Sequence, residues 1–432
     1  MSDLTQSLAA FAAEPVTTTS PVRLITAMSV LDWCAVGRAG AEEPVSVIVR
    51  DMILEEGGAP QAHLFGHGAA PVRAAALVNG TISHALDYDD THFAHIGHPS
   101  VAVIPAALAV SEWRSLPLVE LQESALIGME LSIRVGLWLG RQHYQTGFHQ
   151  TATAGAFGAA AAAGRLLGLR AEQMQQAFGL AATRAAGLKA QFGTMGKPYN
   201  AGIASAAGVE AAHLIARGFA PRAGAMEGAG GFGQTHYGEN NVAAAVEGLG
   251  DTWLFEDVSH KFHACCHGLH AVLEAARRLD IAEPEIAEMT VLTHPRWITV
   301  CNQPSPTDGL GAKFSFRTVL AMHALGYDTA RLDSYSEKVC ADDRLIRLRE
   351  RIKVESDETL TETQAQLNIL KRDGQRMEAS HDLLTPMSLS LREERVRNKA
   401  AKLIGMEDAD EIWALLRSGG DAVDLANRLA TP

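Results

Sequence analysis

Four histidines and three aspartates fall within eighteen residues of the stretch SHALDYDDTHFAHIGHPS, Ser83 to Ser100. That density fits three chemistries: metal ligation, acid–base catalysis, or a plain solvated polar loop. A metal site of the familiar kind needs His-Glu-x-x-His on one helical face or paired Cys-x-x-Cys elements, and the sequence has neither. His92, His95 and His98 form an i, i+3, i+6 series, but Gly97 and Pro99 interrupt the helix that would align them. Acid–base or substrate-binding chemistry is therefore the leading expectation, because histidine beside aspartate titrates near neutral pH. If the preceding helix runs on to Thr91, then His84, Asp87 and Thr91 share a face while Asp89 and Asp90 point elsewhere. His98 is expected in the connection between two helices, open to a cleft.

Three further segments carry reactive side chains. In GFHQTATAG, His149 precedes an alanine-rich helix, and a helix N-terminus favours the neutral imidazole; a capping or packing histidine is the alternative. In QFGTMGKPYNAG, Lys197 precedes a helix expected to begin near Asn200, where a carboxylate would meet a full charge and free N–H donors; a surface lysine at a turn is the alternative. In KFHACCHGLHAV, Lys261, His263, His267 and His270 surround Cys265 and Cys266. Adjacent cysteines cannot easily share one zinc, and no thiol-protease signature is present, so the pair is expected to pack at a helix start. GAGGFG, Gly228 to Gly233, fits the dinucleotide pattern only formally, because no strand precedes it; a flexible turn is expected.

These segments need a scaffold, and the chain is long enough to provide one: 432 residues, 47% hydrophobic and 20% charged. A formal net charge of −13 opposes binding to nucleic acid. Five cysteines, an odd number, argue against a disulfide framework and for a reducing compartment. The first residues lack the positive n-region of a signal peptide, and Arg165 ends the longest alanine-glycine run short of a membrane span, so a cytoplasmic location is expected.

Helical spacing dominates up to about residue 280, with helices predicted at Ser20 to about Gly37, Ser46 to Glu56, Ser100 to Trp113, Leu118 to Leu139, Thr151 to Leu167, Ala171 to Ala186 and Asn200 to Arg217. Their many small residues predict close helix packing. After a helix over Cys266 to Leu279, strands are predicted within Met289 to Cys301, at Arg351 to Val354, and as a hairpin of Gln364 to Lys371 and Gln375 to Ser380 across Asp373-Gly374. Helices at Lys313 to Leu325 and Asp342 to Arg351 lie between them. The expected class is thus mainly α: a helical domain over residues 1–265, a smaller α+β domain over 266–390, and helices over 391–432 that return to the first.

HALDYDDT with GHPS, GFHQTATAGAFGAA, FGTMGKP, KFHACCHGLH and GAKFS occur in this order, and together they resemble the MmgE/PrpD family. The resemblance implies a large all-helical domain with a smaller α+β lid, in a homodimer, and chemistry without metal or organic cofactor. It implies a small di- or tricarboxylate substrate and one of three outcomes: dehydration as of 2-methylcitrate, decarboxylation as of cis-aconitate, or epimerisation as of iminodisuccinate. Carried over, the functional positions are Asp87, Thr91, His98, His149, Lys197 and His270. Lys197 would hold a carboxylate and stabilise charge as the α-proton leaves; Asp87 would fix an imidazole tautomer; Thr91 would donate to a substrate oxygen; and His98, His149 and His270 would share the acid and base roles. Asp89, His92 and His95 would be scaffold or solvent-facing. One departure stands out: the family commonly has a tyrosine shortly after KFS, where this chain has Thr318, and the neighbouring Arg317 offers a carboxylate-binding group instead. The spacing from Thr91 to His98 and the short chain lean towards the epimerase branch over the decarboxylase branch. Dehydration of a hydroxy acid is the first expectation and epimerisation the second, with Tyr144 or a histidine as the extra base. A metal-dependent hydrolase and a catalytically silent helical binding protein are the readings from other classes.

Overall fold

The structure, a computed structural model, describes residues 4–15, 17–279 and 281–430. Helix predominates, and among the described residues the four-stranded sheet lies in the C-terminal part of the chain. Contacts gather the chain into two compact units, one of residues 1–260 with 393–432 and one of residues 261–392. Among the described residues, no helix is long and apolar enough to cross a membrane.

In the first unit three helices frame the clustered histidines: Val72–Ser83, Pro99–Trp113 and Gly196–Ala216. All three pack on one another. Small residues make this possible. A methyl group on Gly202 would run into Leu77 O and Thr81 of the Val72–Ser83 helix, and one on Gly80 would lie 3.0 Å from Gly202 Cα. Gly80 stands four residues before His84 and Gly202 five after Lys197, so this close approach also draws those two side chains to one region. The Gly155–Leu166 helix packs on the Gly196–Ala216 helix in the same way, through Gly208 against Ala159.

The helix Leu118–Thr146 is broken at Gly140, whose φ of 71° and ψ of −175° are non-helical, and so the regular segment ends where the sequence pattern does, at Leu139. The C-terminal helices Leu389–Ile404, Met406–Ser418 and Ala422–Leu429 follow the second unit in the chain. Residues 393–432 belong to the first unit, and Lys399, on the first of these helices, is paired within it. Its Nζ lies 2.7 Å from Asp32 Oδ1 and donates to Tyr88 O at 2.6 Å, with all three residues buried. A buried ammonium is tolerable only when its charge and its donors are matched in this way.

The second unit carries a mixed sheet in the strand order Ile352–Ser356, Ile286–Thr293, Gln364–Lys371, Arg376–Asp382; the first pair is parallel and the other two antiparallel. The hairpin turns at Asp373-Gly374, with Gly374 at φ 89°, and Ala365, Leu367 and Ile369 alternate into the core. The structure differs from the sequence pattern on either side of Pro295. Strand pairing stops at Thr293, and Pro295 begins a short helix, Pro295–Val300, whose first turn is capped by His294. The helix expected over Lys313 to Leu325 begins later, as Phe316–Ala324, because Ser315 is its N-cap and accepts from Thr318 N; a separate short helix, Gly309–Ala312, lies before it. The helix expected over Cys266 to Leu279 shortens to His270–Ala276 after a 3-10 turn at His267–Leu269.

Candidate active site

The clustered stretch is not a continuing helix. The Val72–Ser83 helix stops at Ser83, with His84 as its C-cap, and Asp87 then adopts a left-handed conformation at φ 51°. Aspartate visits this region more readily than most residues, yet the conformation still carries strain. The shared face of His84, Asp87 and Thr91 expected from helical spacing therefore does not exist. In its place, a compact turn points the aspartates inward.

Asp87 Oδ1 lies 2.8 Å from Lys197 Nζ and 3.7 Å from His98 Nε2. Lys197 sits in the first turn of the Gly196–Ala216 helix, which begins earlier than expected, and its ammonium lies 5.5 Å from the Phe192 ring centre. Both side chains keep partial access, 15% for Lys197 and 29% for Asp87, so a small anion can reach them.

Asp89 is the carboxylate against the imidazoles, and it is buried rather than solvent-facing. Its Oδ1 accepts from His84 Nδ1 at 2.9 Å; its Oδ2 lies 2.7 Å from His98 Nδ1, close enough to pair, though not aligned as a hydrogen bond. Burial pushes the Asp89 carboxyl up, but His84 and His98 outweigh it and hold the group well below the usual carboxylate range. Burial pushes His98 down to about 4 against the upward pull of Asp89, so this imidazole is neutral at pH 7. With its Nδ1 proton facing Asp89, its Nε2 lone pair is open; that tautomer is assigned from the partners.

His98 is fixed from behind. Its backbone N–H donates to Thr151 Oγ1 at 3.1 Å, and a methyl group on Gly97 would lie 2.9 Å from Thr151 N and 3.0 Å from that hydroxyl. His92 and His95 are scaffold, as expected, but buried. His92 Nε2 bonds Leu254 O at 2.8 Å, and His95 Nε2 contacts Ser132 Oγ at 3.4 Å, so the i, i+3, i+6 histidines serve three different neighbourhoods. Thr91 is held through its backbone, which pairs with Ser259 in both directions.

His149 caps a short helix, Gln150–Thr153, and its ring lies 6.0 Å from His84 and 4.9 Å from Phe192. Its pKa is held well below normal by burial first, then by His84, Lys197 and His98; the helix end is not the main cause of its neutrality. Asn200 Nδ2 approaches His149 Nδ1 at 3.2 Å, which places the ring proton on Nε2. The two neutral imidazoles thus differ: His98 offers a lone pair and His149 an N–H.

Ligand-capable atoms of His84, Asp87, Asp89 and His98 lie within 4.8 Å of one another, a different set from the one that histidine spacing pointed to. The Lys197 ammonium already supplies a cation at Asp87, so the charge of that carboxylate is met by the chain itself.

His270, Arg317, Thr318 and Lys261 belong to the second unit. His270 is buried beside His263 and His267, its Nε2 donates to Cys265 O at 3.3 Å, and burial leads its strongly lowered pKa. His263 is spoken for by Thr329 and Glu274. Cys265 and Cys266 pack before the His270–Ala276 helix, and Cys266 Sγ lies 3.1 Å from Cys301 Sγ. Arg317 Nε and Thr318 Oγ1 are buried without hydrogen-bond partners among the described residues. The GAGGFG segment follows a 3-10 turn at Ala223–Ala225 and runs into a short helix, Phe232–Thr235, and does not follow a strand.

Asp89 and Asn200 are the site neighbours that sequence reasoning passed over, and His84, grouped with Asp87 and Thr91 on an expected helical face, is paired instead with Asp89. The Asp-Asp pair after Tyr88, poor in helix propensity, was the available signal that the helix had ended.

Fold and site together define a class: a mainly helical protein with a small mixed sheet in its C-terminal region and an aspartate–imidazole–lysine cluster in its helical unit. Residues 6–245 match the MmgE/PrpD N-terminal domain and residues 263–416 the MmgE/PrpD C-terminal domain. The chain belongs to the MmgE/PrpD family. It is similar to a cis-aconitate decarboxylase of Aspergillus terreus (strain NIH 2624 / FGSC A1156), 31% identical over 290 residues, which cover 63% of this chain and 58% of that one. Cis-aconitate decarboxylases of Mus musculus and Homo sapiens are 30% and 29% identical over 271 and 267 residues, 58% of this chain and 54% of theirs in both cases. The match thus spans somewhat over half the length of these relatives.

Proposed function

We propose that the protein is a lyase that makes or breaks a bond at a carbon next to a carboxylate of a small di- or tricarboxylate, with a proton transferred at the site. The observation that supports this most directly is the Lys197–Asp87 contact beside a neutral His98. As the bond breaks, negative charge grows on the substrate carboxylate. A half-buried ammonium stabilises that charge far better than water does, because it needs no reorganisation. His98, with its Nε2 lone pair, acts as base, and His149, with its proton on Nε2, acts as acid. By the family resemblance, Thr91 donates to a substrate oxygen and His270, in the second unit, is a further functional imidazole; Arg317, beside the departure at Thr318, is a carboxylate-binding candidate that the resemblance does not supply.

We take loss of carbon dioxide from a cis-aconitate-like acid as the outcome, on the names of the relatives. The carbon–carbon bond breaks, its electron pair passes through the conjugated double bond, and a proton from His149 reaches the far carbon. Loss of water from a 2-methylcitrate-like hydroxy acid is the second reading, favoured by the pairing of one basic and one acidic imidazole. There His98 takes the α-proton, the electron pair forms the double bond, and the β-hydroxyl leaves with a proton from His149. Thr318 weighs against any route that needs a phenol at its position, because its short hydroxyl is buried. Tyr144, the extra base considered for epimerisation, has the Lys189 ammonium 3.8 Å from its ring centre.

The test is a product screen. Purified protein is incubated with cis-aconitate, 2-methylcitrate and iminodisuccinate, with and without chelator, and products are read by proton NMR and carbon dioxide release. Turnover of one acid, undiminished by chelator, supports the proposal. Turnover abolished by chelator, or none with any of the three, overturns it.

A further inference from the structure

Asp89 stands between two imidazoles. Its Oδ1 takes the Nδ1 proton of His84 at 2.9 Å and its Oδ2 faces His98 Nδ1 at 2.7 Å. The two rings meet edge to face with centres 4.6 Å apart. The carboxylate is buried, as is His84, so neither position is open to exchange of partners with solvent. An ionised carboxylate only accepts hydrogen bonds, so each imidazole must turn a protonated nitrogen towards it.

We propose that Asp89 is a positioning residue that fixes the Nδ1–H tautomer of His84 and His98 together, leaving both Nε2 lone pairs available as acceptors. The site would then hold a pair of basic nitrogens set by one carboxylate, and His84, not Asp87, would be the companion of His98. His84 Nε2 fits this role: it is buried and has no hydrogen-bond partner among the described residues. A buried polar atom without a partner is unfavourable, and a substrate hydroxyl or an abstracted proton would satisfy it. Asp87 is engaged elsewhere, because its near partner is Lys197. This inference rests on the reading of His98 as the proton-transfer group, but its tautomer claim holds or fails in the resting protein.

The test therefore begins without substrate. Nitrogen-15 NMR of protein labelled at histidine, with His84→Gln and His98→Gln spectra for assignment, should show both rings protonated at Nδ1 and bare at Nε2. Asp89→Asn, which keeps the size but presents a donor to one ring, should convert at least one of them to the Nε2–H form. In turnover, the same variant should lower kcat by about 10²-fold or more with KM unchanged, as expected for a misplaced tautomer. Thermal melts separate this from unfolding, and if Asp89→Asn does not fold, the wild-type spectrum alone decides. Nε2–H tautomers at His84 or His98 in the wild type, or a folded Asp89→Asn with unchanged spectrum and kcat, overturn the inference. Failure of the product screen with the expected spectrum intact would sink the proposed reaction alone.

Discussion

Lys197 and Asp87 form an ion pair at 2.8 Å across two backbone segments that sequence places 110 residues apart, one a left-handed turn and the other the first turn of a long helix. The resting site thus carries its own counter-ion. A substrate carboxylate that enters competes with Asp87 for the ammonium, so both affinity and rate depend on the pair.

Lys197→Met should lower kcat/KM by about 10²–10³-fold, the loss typical when one preorganised stabilising group is removed. Lys197→Arg should restore little, because the planar fork cannot occupy the space of a point charge between Asp87 and the Phe192 ring. Steady-state kinetics on the acid identified by the product screen checks this; full activity in either variant contradicts it.

Asn200→Ala should release the tautomer of His149, since Asn200 Nδ2 is the group that faces His149 Nδ1. The expected effect is a fall in kcat of about 10-fold or more, within the range for impaired acid–base catalysis, with a smaller change in KM. A fall in Asn200→Ala with activity kept in Asn200→Asp, which preserves the size but turns an acceptor towards His149 Nδ1, would point to packing alone.

Lys399→Met should destabilise the fold by about 3–5 kcal/mol, because it leaves the buried Asp32 charge without its cation and frees the Tyr88 carbonyl next to Asp89. The double variant Asp32→Asn with Lys399→Met should regain much of that loss. Chemical denaturation of both variants reads the difference; additive losses would show that the pair is not coupled.

Asp90 gives the fold a pH dependence of known sign. Burial pushes its carboxyl up to about 7, with Asp32 and Asp89 adding and Ser100 opposing, whereas the unfolded group titrates near 3.8. The fold binds this proton more tightly than the unfolded chain does. Stability from Asp90 is therefore complete below about pH 4 and declines as pH rises towards 7. Relative to Asp90→Asn, the wild type should lose stability across that window and hold level above it. A flat difference from pH 4 to 7 in denaturant melts would contradict the assignment.

Two of the three helices that frame the site were legible from local signals, Pro99–Trp113 to within a residue and Gly196–Ala216 from about Asn200, whereas the Val72–Ser83 helix was not among those expected. Pro99 opens the first, Gly140 breaks the Leu118–Thr146 helix, and the Asp373-Gly374 turn sets the hairpin register. Candidate site residues were legible by type: Asp87, His98, His149 and Lys197 do stand in one neighbourhood. Their partners were not. Whether Asp87 or Asp89 faces His98 turns on a single left-handed residue, and that conformation is imposed by tertiary contacts with segments far away in sequence. Helical periodicity, extended through Asp87, rotated the carboxylates to the wrong neighbours.

The central claim is that an imidazole of this site, His149 where carbon dioxide is lost and His98 where water is eliminated, moves a proton on a carbon next to a carboxylate. Turnover of the accepted acid in deuterated water, followed by proton NMR, measures it most directly, with wild type, His98→Gln and His149→Gln compared. If carbon dioxide is lost, the account predicts one deuterium at that carbon of the product in the wild type and none in His149→Gln; if water is eliminated, it predicts that the reverse hydration of the product brings deuterium to that carbon in the wild type and not in His98→Gln. Carbon dioxide loss, or the reverse hydration, that leaves no deuterium at that carbon, or incorporation unchanged in both variants, would contradict it.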